Sequence, residues 1–332
     1  MKQFRRSMCM VIPVVMLLVL MLPDIMMAQS QYMRHDDLFS IYFVNKDQGW
    51  VCGRWGVIWH TNDGGKTWER QETGTTMTLS AIDFVDSQNG WAVGNGGTIL
   101  HTSDGGKAWR QQKSPVEFFH MGVDFVNPQE GWIASEKTHI LHTVDGGQTW
   151  DVQFSGEVYH LKSISFADSQ NGWAAGEFGF VYGTRDGGNT WQYLAGKYEF
   201  NEDTYEIETG VFIFDIVSLD SKTVLAVGSD GVVTRSGDGG RTWNIVDIKM
   251  PESRFYSAAK GQDGDVVIGG TGAYLLSQDS GVTWAPIEFE PSMKNSWIYS
   301  FSHIRGKQYV AVGEEGVIYL GDVSKVLRRV IY

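Results

Sequence analysis

The chain has 332 residues, of which 42% are hydrophobic, 40 are glycine and only 7 are proline, which describes a folded, turn-rich β protein and excludes a disordered one. Its net charge of −12, with no basic run after residue 7 except Arg328 and Arg329, excludes nucleic acid as a partner, because neutralising phosphates needs a concentrated Lys/Arg face. Length alone suggests two domains, but an internal repeat overrides that expectation in favour of one large domain.

The first 28 residues have the layout of a secretory signal peptide: Lys2, Arg5 and Arg6, an apolar stretch over residues 8–22, then Pro23 and a small-residue region near Ala28. The apolar stretch is interrupted by Pro13 and falls short of the roughly 20 residues a bilayer span requires. Cleavage after Ala28 and export to the periplasm or extracellular space are therefore expected. Met26, larger than the residue usual at that place, keeps an uncleaved membrane anchor as the alternative. Cys9 lies in this leader, so Cys52 is the single cysteine of the exported chain; it cannot form an intramolecular disulfide and reads as a small buried residue of a strand.

Residues 29–332 are organised by a repeat. The octets TNDGGKTW, TSDGGKAW, TVDGGQTW, TRDGGNTW, SGDGGRTW and SQDSGVTW place aspartates at Asp63, Asp104, Asp145, Asp186, Asp238 and Asp279, at steps of 41, 41, 41, 52 and 41. That period suits one four-stranded propeller blade. Each unit opens on an alternating strand, with Ile41 and Phe43 recurring as Ile82 and Phe84, Val123 and Phe125, and Ile164 and Phe166. A turn such as residues 86–90 follows, then a second strand opened by Trp50, Trp91, Trp132 or Trp173, with Leu225 and Val266 in the same slot later. Glycine pairs then flank a two-residue turn that calls for positive φ, as at Gly53 and Gly56 or Gly94 and Gly97. The third strand runs into the octet.

The repeats begin near residues 38, 79, 120, 161, 212, 255 and 298. An insertion at 195–211, carrying Glu199, Glu202, Asp203, Glu206 and Glu208, lengthens one step. The seventh unit keeps Gly313 and Gly316 but lacks the octet. Its outer strand has two candidate sources, residues 31–34, which would join the chain ends, or residues 326–332. The expected fold is all-β: a seven-bladed β-propeller of four-stranded antiparallel blades with Asp-box turns.

In the octet the aspartate is suited to accept hydrogen bonds from the N–H groups of its own loop while the glycines take conformations closed to other residues. The structural set is Asp63 with Trp68, Asp104 with Trp109, Asp145 with Trp150, Asp186 with Trp191, Asp238 with Trp243, and Asp279 with Trp284. This slot and the second-strand slot hold ten of the 13 tryptophans, so blade packing explains the aromatic richness. Six equivalent aspartates around a ring cannot all face one substrate, so none reads as catalytic. His60, His101 and His142 share a slot but diverge from the ring axis. Zinc–nitrogen bonds of about 2 Å rule out their convergence on one metal ion. No cofactor is called for.

The second-strand Gly-Trp, the G-x-x-G turn and the box at a 41-residue step resemble the photosystem II stability/assembly factor family of Asp-box propellers, over nearly everything from residue 38 to 320. The resemblance implies seven blades, no catalytic activity and a role in assembling a membrane complex. Members acting in photosystem assembly are expected to display an arginine patch. Here the turn tips offer Arg54 and Lys137 against Glu136, Glu177, Asp230, Glu314 and Glu315, and the leader points to a periplasmic or extracellular relative.

The leading expectation is a monomeric, non-catalytic propeller that binds a protein of an envelope or membrane-associated complex, with a glycan as a further candidate ligand. The tip face would carry the contact through Arg54, Trp55, Lys137, Phe178, Glu314 and Glu315, since exposed aromatics often anchor interfaces. Trp55 and Phe178 could equally fold back on a neighbouring blade. The alternative is a glycoside hydrolase. A sialidase would need an arginine cluster and an N-terminal Arg-Ile-Pro signature, and a xyloglucanase two carboxylates across a cleft between two propellers. Neither pattern is present. A purely architectural module is the third reading.

Overall fold

Alternation along the first strand of each repeat has a direct structural consequence in the computed structural model, which describes residues 36–330 except 157–158, 198, 202–205 and 294–295. In Leu38–Phe43 the first, fourth and sixth residues are buried and the others face a central bore. Leu79–Phe84, His120–Phe125, Leu161–Phe166, Ile213–Ser218, Arg254–Lys260 and Ile298–Arg305 are the corresponding inner strands of blades two to seven. Each packs on the next, and the seventh returns to the first. Among the described residues seven sheets result, six antiparallel ones of four strands and a seventh that adds one parallel edge strand to its antiparallel four, with a two-stranded hairpin, Glu199–Asn201 and Glu206–Thr209, between blades four and five where the sequence places the acidic insertion.

The second strands are buried along their whole length in five blades, as in Gly90–Gly94 and Gly172–Gly176, and at all but one end residue in the other two, because each lies between two neighbouring blades. Trp132 illustrates the packing. Its ring lies between His142 of its own blade, with centroids 4.8 Å apart, and Phe166 of the next, 3.6 Å away and within 9° of parallel. His60 and His101 stack in the same way on Trp50 and Trp91. These histidines each cover one face of the indole in their own blade, and among the described residues no three His, Cys, Asp or Glu side chains are grouped to hold a metal. Cys52 is fully buried in the same layer.

Each Asp-box is a closed hydrogen-bonded loop. Asp238 Oδ1 accepts the Thr242 N–H at 2.9 Å and the Ser236 hydroxyl at 2.9 Å, while Oδ2 accepts the Thr242 hydroxyl at 2.7 Å. Gly239 and Gly240 take φ of 78° and 93°, conformations that a side chain resists. Glutamines of the outer strands bind neighbouring boxes together. Gln71 accepts from Trp109 Nε1 at 3.0 Å and donates to the Gly105 carbonyl at 3.1 Å, and Gln112 repeats this with Trp150 and Gly146. Gln153 does the same with Trp191 and Gly187. Leu194 ends the series immediately before the insertion. At that seam Arg185 lies 4.7 Å above Trp173 and donates to the Gly239 carbonyl instead.

The last blade resolves the two candidate sources of its outer strand. Val326–Arg329 pairs antiparallel with Ile318–Asp322 and buries Leu327 completely, while Phe289–Glu290 adds a parallel strand on its outer edge. Residues 31–34 lie outside the described residues. Closure between blades seven and one comes from packing of Leu38, Ile41 and Phe43 on Val310, Val312 and Ile318, with no exchange of strands among the described residues.

Inner strands are sheet edges, so their outward N–H groups need acceptors. Side chains of the preceding inner strand provide them at all seven seams. Ser40 accepts from Ile82, Asp83 from Phe125, Asp124 from Phe166, Ser165 from Ser218, Asp215 from Ala258, Ser257 from Phe301, and Ser300 from Ile41, at 2.5 to 3.3 Å.

Candidate functional site

The G-x-x-G turns all emerge on one face, and their conformation differs from a simple two-residue hairpin. The first glycine is extended, at φ −169° for Gly53, and is required by close approach: a Cβ on Gly53 would lie 2.2 Å from the Asp37 carbonyl oxygen. Positive φ falls instead on the tip residue and the glycine after it, as at Trp55 (59°) and Gly56 (71°). Lys137, Phe178, Asp230 and Glu315 hold the same left-handed conformation despite their side chains, at a local cost that the repeated turn imposes, and Gly96 takes it in blade two.

Two of the expected tip cations are already engaged. Arg54 Nη2 lies 2.6 Å from Asp37 Oδ2, and Lys137 Nζ sits 4.5 Å from the centre of the Phe118 ring. Glu136 and Glu177 accept the N–H groups of Phe119 and His160, which lead into the inner strands of their blades. Glu315 donates its N–H to Asp37 Oδ1, so the tips of blades seven and one meet at Asp37. Of the two tip aromatics, Trp55 stands 62% exposed. Phe178 is half-buried against Tyr159, Phe180 and Phe212. Beneath Phe178 a pocket of about 490 Å³ opens between blades four and five, lined by Val181, Val211, Ile213, Val232 and Trp243.

Two groups escaped the sequence reading. The first is an aromatic arc around the tip-face mouth of the bore, formed where the residue after the first buried position of each inner strand faces the axis. Phe39 lies 5.3 Å from Tyr299, Tyr299 5.9 Å from Tyr256, Tyr256 5.0 Å from Phe214, and Phe214 6.5 Å from Phe212; Trp297 packs on both Tyr256 and Tyr299. In blades two, three and four the slot holds Ser80, Met121 and Lys162. Aligning the repeats and asking which blades depart from the common residue would have found the arc.

The second group is Asp83, Asp124 and Asp215, on the wall of a bore of about 320 Å³. Water reaches Asp124 and Asp215 from the bore, yet protein surrounds them, and that enclosure pushes Asp124 up to about 7 and Asp215 to about 6. Enclosure, then repulsion from Asp124, also raises Asp83. In the boxes the sign reverses: the Thr242 N–H and hydroxyl pull Asp238 down to about 2. Between the ordinary carboxylate value and about pH 7 the folded chain binds protons at Asp124 that the unfolded chain releases, so this contribution to stability is lost as pH rises. The box contribution is lost as pH falls below about 4. Burial also lowers His60, His101, His142 and, to about 4, His120, so their contribution is lost as pH falls below about 6.5 and opposes the Asp124 trend. Asp124→Asn, which keeps an acceptor for the Phe166 N–H, should reduce the fall between pH 5 and pH 8 by roughly 2–3 kcal/mol, about 5 °C. An unchanged slope in a pH series of thermal melts would refute this.

Residues 27–114 and 107–207 match the family described as photosynthesis system II assembly factor YCF48, more than half of the chain. No curated protein sequence matches it. Solved structures share the fold. A YCF48 bound to a D1 peptide is 20% identical, with a TM-score of 0.69, over 86% of this chain and 91% of that one. YCF48 from Cyanidioschyzon merolae is 21% identical, with a TM-score of 0.68, over 86% and 95%. The GH74 xyloglucanase from Xanthomonas campestris is 12% identical with a TM-score of 0.68, and the match covers 89% of this chain but 54% of the enzyme.

Proposed function

The chain belongs to the photosynthesis system II assembly factor family, and from that premise we propose that it is an exported, non-catalytic propeller that binds a protein partner through its tip face. It serves the assembly or stability of an envelope or membrane-associated complex. The observation that carries this reading is the use made of the bore carboxylates. Asp83, Asp124 and Asp215 each accept a backbone N–H from the adjoining blade, at 2.7, 2.5 and 2.8 Å, and Asp215 also accepts the Ser163 hydroxyl. A glycosidase needs one carboxyl group free to donate a proton and a second free to attack or to activate water. These three are committed to holding seams together. The tip face, by contrast, has tips bearing large side chains and an exposed aromatic surface, as partner-binding faces do. A solved YCF48 holds a D1 peptide, and peptide binding is the property we extend to this chain.

The test is affinity capture from an envelope extract with residues 29–332 immobilised. A stoichiometric protein that competes with antibody against the tip face is the expected result. Hydrolysis of any member of a glycoside panel, abolished by Asp215→Asn in a chain that still folds, would overturn the reading.

A further inference from the structure

We propose that the aromatic arc on the tip face docks an extended protein segment in which aromatic or aliphatic side chains alternate with Lys or Arg, an inference that rests on the partner-binding reading and specifies its chemistry. The fold does not require the arc, since Ser80, Met121 and Lys162 fill the same slot in three blades without loss of the blade. Nor do its residues belong to the buried core: Phe212 is 36% and Trp297 40% exposed, and Phe39, Phe214, Tyr256 and Tyr299 are half-buried. Rings in contact across blades five, six, seven and one make a continuous apolar track, and aromatic side chains of this exposure are the usual anchors of interfaces.

Ring geometry and charge identify the occupant. Neighbouring rings are tilted by 53° (Phe214 and Tyr256), 38° (Tyr256 and Trp297), 83° (Trp297 and Tyr299) and 58° (Phe39 and Tyr299), and only Phe212 and Phe214, at the end of the arc, come within 15° of parallel. Such angles make separate notches that accept side chains, whereas a sugar chain stacks on rings that lie flat. Acidic groups border the track at Asp230, next to Ser229 whose N–H binds the Phe212 carbonyl, and at Glu314 and Glu315, Glu314 donating its N–H to the Trp297 carbonyl. The nearby cations Arg54 and Lys162 are paired with Asp37 and Glu177, while Arg254 opens the inner strand of blade six. With a net charge of −12 behind it, the border favours a cationic segment and speeds its encounter.

The experiment titrates the whole exported chain with a short synthetic peptide of Phe and Lys, with the same peptide carrying Gly for Phe or Glu for Lys, and with a xyloglucan oligosaccharide. The Phe and Lys peptide should bind at least about tenfold more tightly than either altered peptide. Tyr256→Ala with Trp297→Ala should weaken it by a similar factor without changing the melting curve. Trp297→Ala alone, at an exposed position, should give a smaller loss and covers the case in which the double variant fails to fold. Equal binding of the Glu peptide, unchanged binding by both variants, or binding of the oligosaccharide but not the peptide would each overturn the proposal. If the double variant still captures the envelope partner as the parent does, the arc fails while the partner-binding reading stands. If the parent captures nothing but the peptide binds through the arc, the reverse holds.

Discussion

Trp132→Ala is expected to lower the stability of the propeller by about 3–5 kcal/mol, the range for removing a large buried aromatic side chain. The indole is fully buried and lies between His142 and Phe166, and its Nε1 donates to Gln153 Oε1 at 3.1 Å. Alanine leaves a void between two blades that neither ring can fill without moving a strand, and it frees one acceptor of the glutamine that also binds Trp191 and Gly187. Damage should thus extend to the seam between blades three and four. Trp284→Ala provides the comparison. That indole is only half-buried, and its Nε1 has no hydrogen-bond partner, so its loss should be clearly smaller. Chemical denaturation of the two variants measures the difference, and equal losses would contradict the account of the indole layer.

Deleting residues 326–332 should abolish cooperative folding. The deletion removes the strand Val326–Arg329, uncovers the edge of Ile318–Asp322, and strips Phe289–Glu290 of its partner. It also removes Leu327, which packs with Phe289, Tyr319 and Val323 in the core of the last blade. A buried leucine alone is worth about 2–5 kcal/mol, a large part of the stability of a typical domain. An exposed apolar strand edge then invites association between chains. Size-exclusion chromatography should find aggregate in place of the parental species. A truncated chain that elutes as the parent does and melts cooperatively near the parental temperature would return the closing role to the N-terminal segment.

Much of this architecture is written in the repeat. The 41-residue step, the second-strand tryptophans and the boxes specify the blades because each signal recurs, and repetition separates a structural requirement from chance. What escaped was the part that does not recur. Asp83 and Asp124 occupy the slot that Ser165 and Ser302 fill in other blades, and only the spatial neighbourhood of a strand edge reveals that hydroxyls and carboxylates there do one job. The outer strand of the last blade was ambiguous for a similar reason, since Val326 to Arg329 carries no box to mark it. The tip residues were legible as exposed positions, but the engagement of Arg54 by Asp37 and of Lys137 by Phe118 depends on chain crossings that no local pattern encodes. The arc needed both the repeat alignment and the axis, because Phe39 and Phe214 read singly as ordinary strand aromatics.

Closure without strand exchange has a consequence for how such a face can diversify. Every blade is made from one uninterrupted stretch of chain, and the joints between blades depend on positions deep in the bore or at the opposite rim. A substitution at a tip away from Asp37, or at an axial slot other than that of Ser80, whose hydroxyl donates to the His120 carbonyl of the next blade, therefore leaves the joints untouched. Recognition can be retuned one blade at a time on a frame whose cohesion is decided elsewhere, which is how a single ring comes to present aromatic rings on one side of its mouth and serine, methionine and lysine on the other.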